Sequence, residues 1–230
     1  MKQRILQFFS ALLILTSFLA CNKDGESYET LTRLANLKIE EAVSLTQGHT
    51  CGTLDEWRID TLSYAYVPVH PSFEDAYKKL VAEANELYRQ ADKLRGNYPN
   101  YDVLRASLPP HFGIRCIENE VKVAAATDLS VNEIDSRLDQ LLPELTIFFD
   151  DVPCNDAKLW NVATIRKDCD FIDILITNTD NFYVFGQMLK TYTHLHAAKR
   201  HLNNSPECPT VNENPAKGVT CENGKPKISY

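Results

Sequence analysis

The seven cysteines are the residues of this chain whose type and spacing carry the most chemistry. A cysteine with a tryptophan six residues later occurs twice, at Cys51 with Trp57 and at Cys154 with Trp160. A second motif, Pro-x-x-Gly-x-x-Cys, also occurs twice and ends at Cys116 and Cys221. The chain has no Cys-x-x-Cys or Cys-x-x-His, the spacings typical of thioredoxin-type sites and zinc knuckles. We therefore predict structural disulfides, with no metal site and no redox motif.

The repeated spacing also predicts how the cysteines pair. Six remain when the cysteine nearest the N-terminus is set aside, and six allow 15 complete pairings. Cysteines shared by the two repeats are expected to pair within each repeat. The other two occur only in the second repeat, and partners present together are expected to form a third bond. The predicted disulfides are Cys51–Cys116, Cys154–Cys221 and Cys169–Cys208.

The histidines offer the next candidate site. His194, His196 and His201 fall in a segment with helical periodicity, but none of them forms the His-x-x-x-His pair that clamps a metal on one helix face. Lys199 and Arg200 add positive charge that opposes a cation. We expect a solvated face with one or two half-buried rings.

The acidic residues give no recognisable catalytic or metal pattern. Asp150, Asp151 and Asp156 surround Cys154 without the glycine and closing glutamate of a calcium loop, so we predict a solvated turn. There is no Gly-x-Ser-x-Gly elbow and no glycine-rich phosphate loop. The sequence predicts no catalytic residue and no cofactor.

The aromatic residues allow two interpretations. Trp57 and Trp160 could be platforms for a ligand such as a sugar ring, but a small domain more often uses its largest side chain as core. Tyr64 and Tyr66 form a possible ligand surface if their segment is an edge strand with outward tyrosines. The same tyrosines could equally lie on the inner face of the sheet.

The N-terminus predicts export. Lys2 and Arg4 precede an apolar run over residues 5–20, which is shorter than the roughly 20 residues that span a bilayer comfortably. A charged segment followed by a short apolar one is typical of a secretory signal. We predict a signal peptide over residues 1–20.

The end of this signal, Phe18-Leu19-Ala20-Cys21, resembles the lipobox of bacterial lipoproteins. The resemblance implies a type II signal peptide, acylation of Cys21 and a lipidated linker over residues 21–26. An ordinary cleaved signal that leaves Cys21 free is the alternative. The residues after Cys21, Asn22 to Glu26, also resemble the signal that sends some lipoproteins to the outer surface.

The net charge and the predicted anchor limit which classes of partner the protein can have. Lys and Arg number 24 against 31 Asp and Glu, and a net acidic chain repels nucleic acid. We predict a membrane partner through acylated Cys21, with an unknown envelope protein or glycan as the ligand. The predicted location is the outer membrane of the bacterial cell envelope, periplasmic or surface-exposed.

The fold prediction is α+β, with two tandem disulfide-braced units over residues 27–126 and 127–230. Each unit is predicted as a helix, one or two short antiparallel strands, a long helix and a strand. In the first unit, leucines at 31, 34 and 37 recur near the helical period, and Pro71 opens a second, strongly amphipathic helix. Strand character is highest over residues 59–67 and 114–123.

The second unit repeats this order. Ser130 and Glu133 form a capping box, and Pro143 is expected to kink or end the helix that follows. A hairpin is predicted from residues 160–164 and 171–177. Thr179 or Asp180 is expected to cap the second long helix, which ends at residues 203–204.

These units resemble a small cysteine-containing domain of unknown function that is found in predicted bacterial lipoproteins. The likeness rests on a cysteine and tryptophan at the start and a closing Cys-x-Asn-Gly, here Cys221 to Gly224, and the middle cysteine corresponds to Cys169. The first unit lacks the middle cysteines. The resemblance implies no activity.

The sequence therefore predicts a non-catalytic binding or interaction module on a lipid-anchored envelope protein. An envelope inhibitor of proteases or other hydrolases is the first alternative, because rigid loops lose little entropy on binding. A hydrolase with a dispersed active site is the second.

Overall fold

The computed structural model describes residues 27–95 and 108–230, which form an α+β structure of helices and two-stranded antiparallel sheets. The predicted signal peptide, the linker and Cys21 lie outside these residues. Within the described ranges, none of the helices is long and apolar enough to cross a bilayer.

The order helix, hairpin, helix, hairpin occurs twice along the chain. The helices are α1 (Tyr28–Ser44), α2 (Pro71–Leu94), α3 (Val131–Ile147) and α4 (Phe182–Leu202). The hairpins are β1 (Arg58–Leu62) with β2 (Ala65–Val69), β3 (Ile114–Ile117) with β4 (Glu120–Val123), β5 (Trp160–Lys167) with β6 (Asp170–Thr177), and β7 (Gly218–Glu222) with β8 (Lys225–Ser229). A short 3₁₀ turn, Ala126–Asp128, lies at the predicted boundary between the units, which stays a prediction.

By their contacts the described residues form two compact units, residues 27–47 with 69–95, and residues 48–68 with 108–230. The first, which we call the helical unit, contains α1 and α2. The second, which we call the mixed unit, contains α3, α4 and the hairpins, apart from the last residue of β2.

Helix starts follow local capping chemistry. The Ser27 hydroxyl accepts a hydrogen bond from the Thr30 amide at 3.1 Å, and Ser130 does the same for Glu133 at 3.3 Å. Pro71 occupies the first turn of α2, where its missing N–H has no intrahelical partner to lose. These caps fix where the three helices begin.

In the helical unit, α1 and α2 pack through small residues. The buried positions are Leu31, Ala35 and Ala42 on α1, and Tyr77, Ala84 and Ala91 on α2. Alanine lets helix axes approach closely, because interaxial distance depends on the side chains at the contact. Leu34 and Leu37, predicted on the buried stripe, are 38% and 43% exposed, so the alanines and not these leucines form the seam.

The mixed unit has a core of larger side chains. Helices α3 and α4 run antiparallel, since Asp135 pairs with Lys199 at one end and Phe149, just beyond α3, contacts the ring of Phe185 at the other. The hairpin β5–β6 packs with them. The core includes Ile134, Leu138, Leu145, Phe149, Trp160, Ile165, Ile174, Phe185, Tyr192 and Leu195.

Two expectations about the elements were wrong. The segment over residues 114–123 is a hairpin rather than a single strand, with a two-residue turn at 118–119. Asn181, rather than Thr179 or Asp180, precedes α4.

Two other expectations offered alternatives. The segment over residues 59–67 forms two antiparallel strands, where one or two were expected. Pro143 does not end α3, which continues to Ile147 because a proline removes only one amide donor and Leu145 beyond it is fully buried. A kink at Pro143 stays a prediction.

Candidate functional site

Three disulfides are present, and they join the pairs that the repeated spacing predicts. They are Cys51–Cys116, Cys154–Cys221 and Cys169–Cys208, with Cα–Cα distances of 5.7, 5.4 and 5.1 Å. All three lie within the mixed unit. Cys154 is 3% exposed and belongs to the core, whereas Cys169 and Cys208 are half-buried.

A hairpin turn supports each of the two long-range bridges in the same way. The Cys51 amide donates to the carbonyl of Asn119 at 3.3 Å, and the Cys154 amide donates to the carbonyl of Gly224 at 2.8 Å. Asn119 and Gly224 are the second residues of the β3–β4 and β7–β8 turns and both have positive φ. Each bridge therefore joins a loop to the first strand of a later hairpin, and the amide hydrogen bond ties the same loop to the turn of that hairpin.

A groove of about 300 Å³ lies between β5 and α4. Its walls include Thr164, Arg166, Tyr192, Thr193 and His196. Their polar groups bond mainly within the fold: the Tyr192 hydroxyl donates to the Arg166 carbonyl at 2.8 Å, and the Thr193 hydroxyl donates to the Leu189 carbonyl at 2.8 Å. These bonds dock α4 on the hairpin and leave few groups for a ligand.

His196 is the histidine that the structure places inside. It is 8% exposed, and its Nε2 lies 2.9 Å from the carbonyl of Asp168 in the β5–β6 turn. A carbonyl only accepts, so Nε2 carries the hydrogen. Burial lowers the pKa of His196, which favours the neutral ring. The groove thus holds one neutral imidazole, and none of its described lining residues is a carboxylate.

One atom in the groove is left without a partner. Arg166 lies over the Phe171 ring at 4.2 Å and donates from Nη2 to the Pro209 carbonyl, but its Nη1 is buried and unbonded among the described residues. A single orphaned donor in a partly exposed side chain does not define a ligand. The groove is best understood as packing of α4 against β5 and β6.

A second feature, at the other end of α4, is an exposed apolar surface. Ile147, Phe182, Tyr183 and Val184 are 60%, 40%, 74% and 50% exposed. We call these four residues the apolar end patch. Underneath, Phe148 contacts Phe185 with ring centroids 5.5 Å apart, which joins the end of α3 to the first turn of α4. Large adjoining exposed apolar side chains are typical of binding surfaces.

Sequence reasoning missed this patch, although a signal for it was present. Residues 182–185 are four successive large apolar residues at a helix start, and a helix with one buried face cannot bury all four. Only Phe185 is buried, at 1% exposure. The polar residues Asn178, Asp180 and Asn181 border the patch along the chain and are exposed.

The predicted ligand residues Tyr64 and Tyr66 do not have equivalent surroundings. Tyr64 occupies the β1–β2 turn and is 62% exposed. Tyr66 is half-buried, and its ring meets His111 edge-on with centroids 4.6 Å apart. Tyr64 alone presents most of its ring to solvent. Whether this surface binds a ligand stays a prediction.

The tryptophans, histidines and aspartates considered as site residues differ in how deeply they are buried. Trp160 is 5% exposed and part of the core, which leaves it no face for a ligand, and Trp57 is half-buried against His49 at 5.2 Å. His194 and His201 are exposed. The Asp156 side chain caps a short turn by accepting from the Lys158 amide at 2.9 Å.

Within residues 27–95 and 108–230, no cluster of three His, Cys, Asp or Glu side chains is arranged to hold a metal ion. Comparison with protein-family models, with curated protein sequences and with solved structures finds no match for this chain.

Proposed function

We propose that this protein is a lipid-anchored bacterial cell-envelope protein that acts as a non-catalytic interaction module. The signal-like N-terminus and the lipobox-like Cys21 support the anchor. Three disulfides support an oxidising compartment, since such bonds persist mainly outside the cytosol. The membrane is contacted through acylated Cys21, in the outer membrane.

We also propose that the chain carries two copies of one ancestral unit. Buried positions recur at a constant spacing: Leu31, Ala35 and Ala42 on α1 are followed 103 residues later by Ile134, Leu138 and Leu145 on α3. The equivalent amide-to-turn bonds of Cys51 and Cys154 support the same proposal. Duplication of a braced scaffold is a common basis for binding proteins without catalytic groups.

The apolar end patch carries the functional proposal. Its two aliphatic side chains, Ile147 and Val184, lie with two aromatic ones on a unit that three disulfides brace. A rigid apolar surface binds with little loss of conformational entropy. Exposed aliphatic side chains favour a protein partner over a glycan, because sugars bind through stacked rings and many hydrogen bonds.

Site-specific photo-crosslinking in the organism that encodes the chain tests this proposal. Benzoylphenylalanine in place of Tyr183, inside the patch, is expected to give a discrete adduct with one envelope protein. The same residue at Val211, which is 70% exposed and outside the patch, is the matched control and is expected to give none.

Two further variants sharpen the outcome. Val184→Asp places a charge in the patch and is expected to abolish the Tyr183 adduct without changing the circular dichroism spectrum. Benzoylphenylalanine at Tyr64 tests the other predicted surface separately. Equal labelling from positions 183 and 211, or an adduct that survives Val184→Asp, would show that the patch does not bind a specific partner.

A further inference from the structure

A cationic side chain lies beside the third disulfide. The guanidinium of Arg200, on the last turns of α4, has its Nη1 3.4 Å from Cys169 Sγ and in contact with Cys208 Sγ as well. One charged group therefore contacts both sulfurs of this bridge.

A cation beside a disulfide matters when the bond is reduced. The intact disulfide is uncharged, so a guanidinium gains little from it, but reduction releases a thiolate that a guanidinium stabilises strongly. A stabilised thiolate is a better leaving group, and the rate of thiol–disulfide exchange rises as the leaving thiol becomes more acidic. Arg200 therefore favours the reduced state and speeds its formation.

Three carboxylates also neighbour the bridge along the chain and oppose this effect. Asp168 and Asp170 flank Cys169, and Glu207 precedes Cys208. Lys199 neutralises Asp168 through a 3.0 Å ion pair, while Asp170 and Glu207 are exposed to solvent that screens them. Arg200 contacts the sulfurs directly, so its field is the largest on them.

The bridge is also open to a reagent. Cys169 and Cys208 are both half-buried, and Cys169 occupies the tip of the β5–β6 hairpin. Cys154 of one other bridge is 3% exposed, whereas Cys116 of the remaining one is exposed. Accessibility therefore separates this bridge from Cys154–Cys221, and the contact with Arg200 separates it from Cys51–Cys116. Redox-active disulfides are accessible and lie in electropositive surroundings, whereas structural ones are buried.

We propose that Cys169–Cys208 is a thiol–disulfide exchange site, opened by a dithiol reductant while the other two bridges stay closed, with Arg200 as the positioning residue. A thiolate of the dithiol attacks Cys169 Sγ and forms a mixed disulfide. The Cys169–Cys208 bond breaks, and its electron pair leaves on Cys208 Sγ beside Arg200. The second thiolate of the dithiol then attacks the mixed disulfide and releases Cys169 as a thiolate. The dithiol becomes a cyclic disulfide, and the protein gains two electrons.

Opening this bridge releases a defined segment. Residues 203–217 connect α4 to β7 without helix or strand, and the bridge anchors them near their middle. Near the bridge, hydrogen bonds from Arg200 to the Pro206 carbonyl and from Arg166 to the Pro209 carbonyl also hold this segment, and backbone bonds hold its two ends. The long-range bridges that close the mixed unit are untouched, so reduction changes one loop and leaves the core folded.

The test is timed reduction of the full chain with dithiothreitol, followed by alkylation and mass spectrometric mapping of each cysteine. The Cys169–Cys208 bond is expected to open roughly tenfold faster than the other two. With glutathione as a single thiol, the mixed disulfide is expected on Cys169. Opening of this bond at the same rate as the others, or after them, would overturn the proposal.

Variants at Arg200 test its role. Arg200→Gln is expected to slow opening of this bond about fivefold and to raise the pKa of the released Cys208 thiol, read from the pH dependence of alkylation. Arg200→Lys keeps the charge and is expected to retain most of the rate. Lys79→Gln makes the same charge change at an exposed position of α2, in the helical unit, and is the matched control. If Arg200→Gln matches Lys79→Gln, or accelerates opening, Arg200 has no such role.

Discussion

The helix pairs α1–α2 and α3–α4 bury corresponding positions but fill them with side chains of different size. Ala35 and Ala42 of α1 correspond to Leu138 and Leu145 of α3. In the second helix of each pair, Ala84 corresponds to Tyr192. Under the proposed duplication these positions are equivalent, and the side-chain volume at them differs.

This difference determines what each pair can pack against. The alanine seam of α1 and α2 brings two helices together as a unit of their own. The larger residues of α3 and α4 share a core with Trp160, Ile165 and Ile174 of the β5–β6 hairpin. The periodicity of apolar residues predicts which face is buried, and side-chain volume decides how many layers that face can hold.

The turns of the β1–β2 and β5–β6 hairpins also differ, and the second is again the more constrained. Tyr64 is the second residue of the β1–β2 turn, and Cys169 is the second residue of the β5–β6 turn. One tip presents an exposed ring and the other is bridged to Cys208. Residues 127–230 therefore have both the larger core side chains and an additional disulfide.

The largest effect is expected from removing a long-range disulfide. The double variant Cys154→Ala/Cys221→Ala opens a loop whose ends are 67 residues apart, which costs about 4 kcal/mol of unfolding free energy in the loop-entropy model. Cys154 is also a core residue, so the variant loses packing in addition. Urea unfolding measures the change.

The matched variant is Cys51→Ala/Cys116→Ala, with a separation of 65 residues in the same unit. It is expected to cost less, because Cys51 is half-buried and Cys116 is exposed. An equal or larger loss from this variant would contradict the view that the bridge of the second half is part of its core.

A pair of opposite substitutions tests the difference in helix packing. Leu145→Ala is expected to lower the unfolding free energy by about 2–5 kcal/mol, because Leu145 is fully buried. Ala42→Leu, at the corresponding position, is expected to lower it by about 1–3 kcal/mol through overpacking of the alanine seam. Leu34→Ala, at a 38% exposed position, is the control and should change it by about 0.5 kcal/mol or less. A stabilising Ala42→Leu would show that the two helix pairs are spaced alike.

A smaller effect is expected from His196, which has no counterpart in the α1–α2 pair. Its pKa is lowered by burial, so the unfolded state binds the proton more tightly than the folded state. The stability that it contributes is present above its ordinary pKa of 6.5 and is lost as the pH falls below that value. The pKa values of Glu133 and Asp168 are also lowered, from 4.5 and 3.8, so their losses come at lower pH.

Thermal unfolding from pH 7 to pH 5 is the measurement. The wild-type midpoint should fall over this range, and His196→Gln should flatten the fall while lowering the midpoint at pH 7. The pKa of Asp168 is lowered from 3.8 and that of Lys199 is raised from 10.5 by their ion pairs, so neither of these neighbours of the ring changes its charge over this range. A parallel fall in both proteins would assign the pH dependence to other groups.

The sequence predicted the helices and bridges well because their signals are local or repeated. Ser130 caps α3 where expected, and Pro71 begins α2. Doubling of the cysteine pattern restricted the pairings to the three that the structure contains. Both kinds of evidence are independent of long-range packing.

Three features could not be predicted from the sequence, because they depend on packing or on unusual backbone conformation: the β3–β4 turn, the apolar end patch and the contact of Arg200 with the third bridge. Asn223-Gly224 is a strong hairpin signal, but Glu118 and Asn119 form the equivalent turn with φ of 55° and 65°, and glutamate rarely adopts this conformation. The apolar end patch required knowing that Phe185 takes the buried position, and the contact of Arg200 with the third bridge required knowing how α4 meets the β5–β6 turn.

The most direct test of the account is mass spectrometry of the non-reduced protein, purified from the organism that encodes it. The account predicts an N-terminal peptide that begins at acylated Cys21, and cross-linked peptides that join 51 to 116, 154 to 221 and 169 to 208. A different N-terminus with a free thiol at Cys21 would contradict the lipid anchor. A bond between Cys51 and Cys154 would contradict the proposed repeats, residues 27–126 and 127–230, each of which is closed by its own bridge.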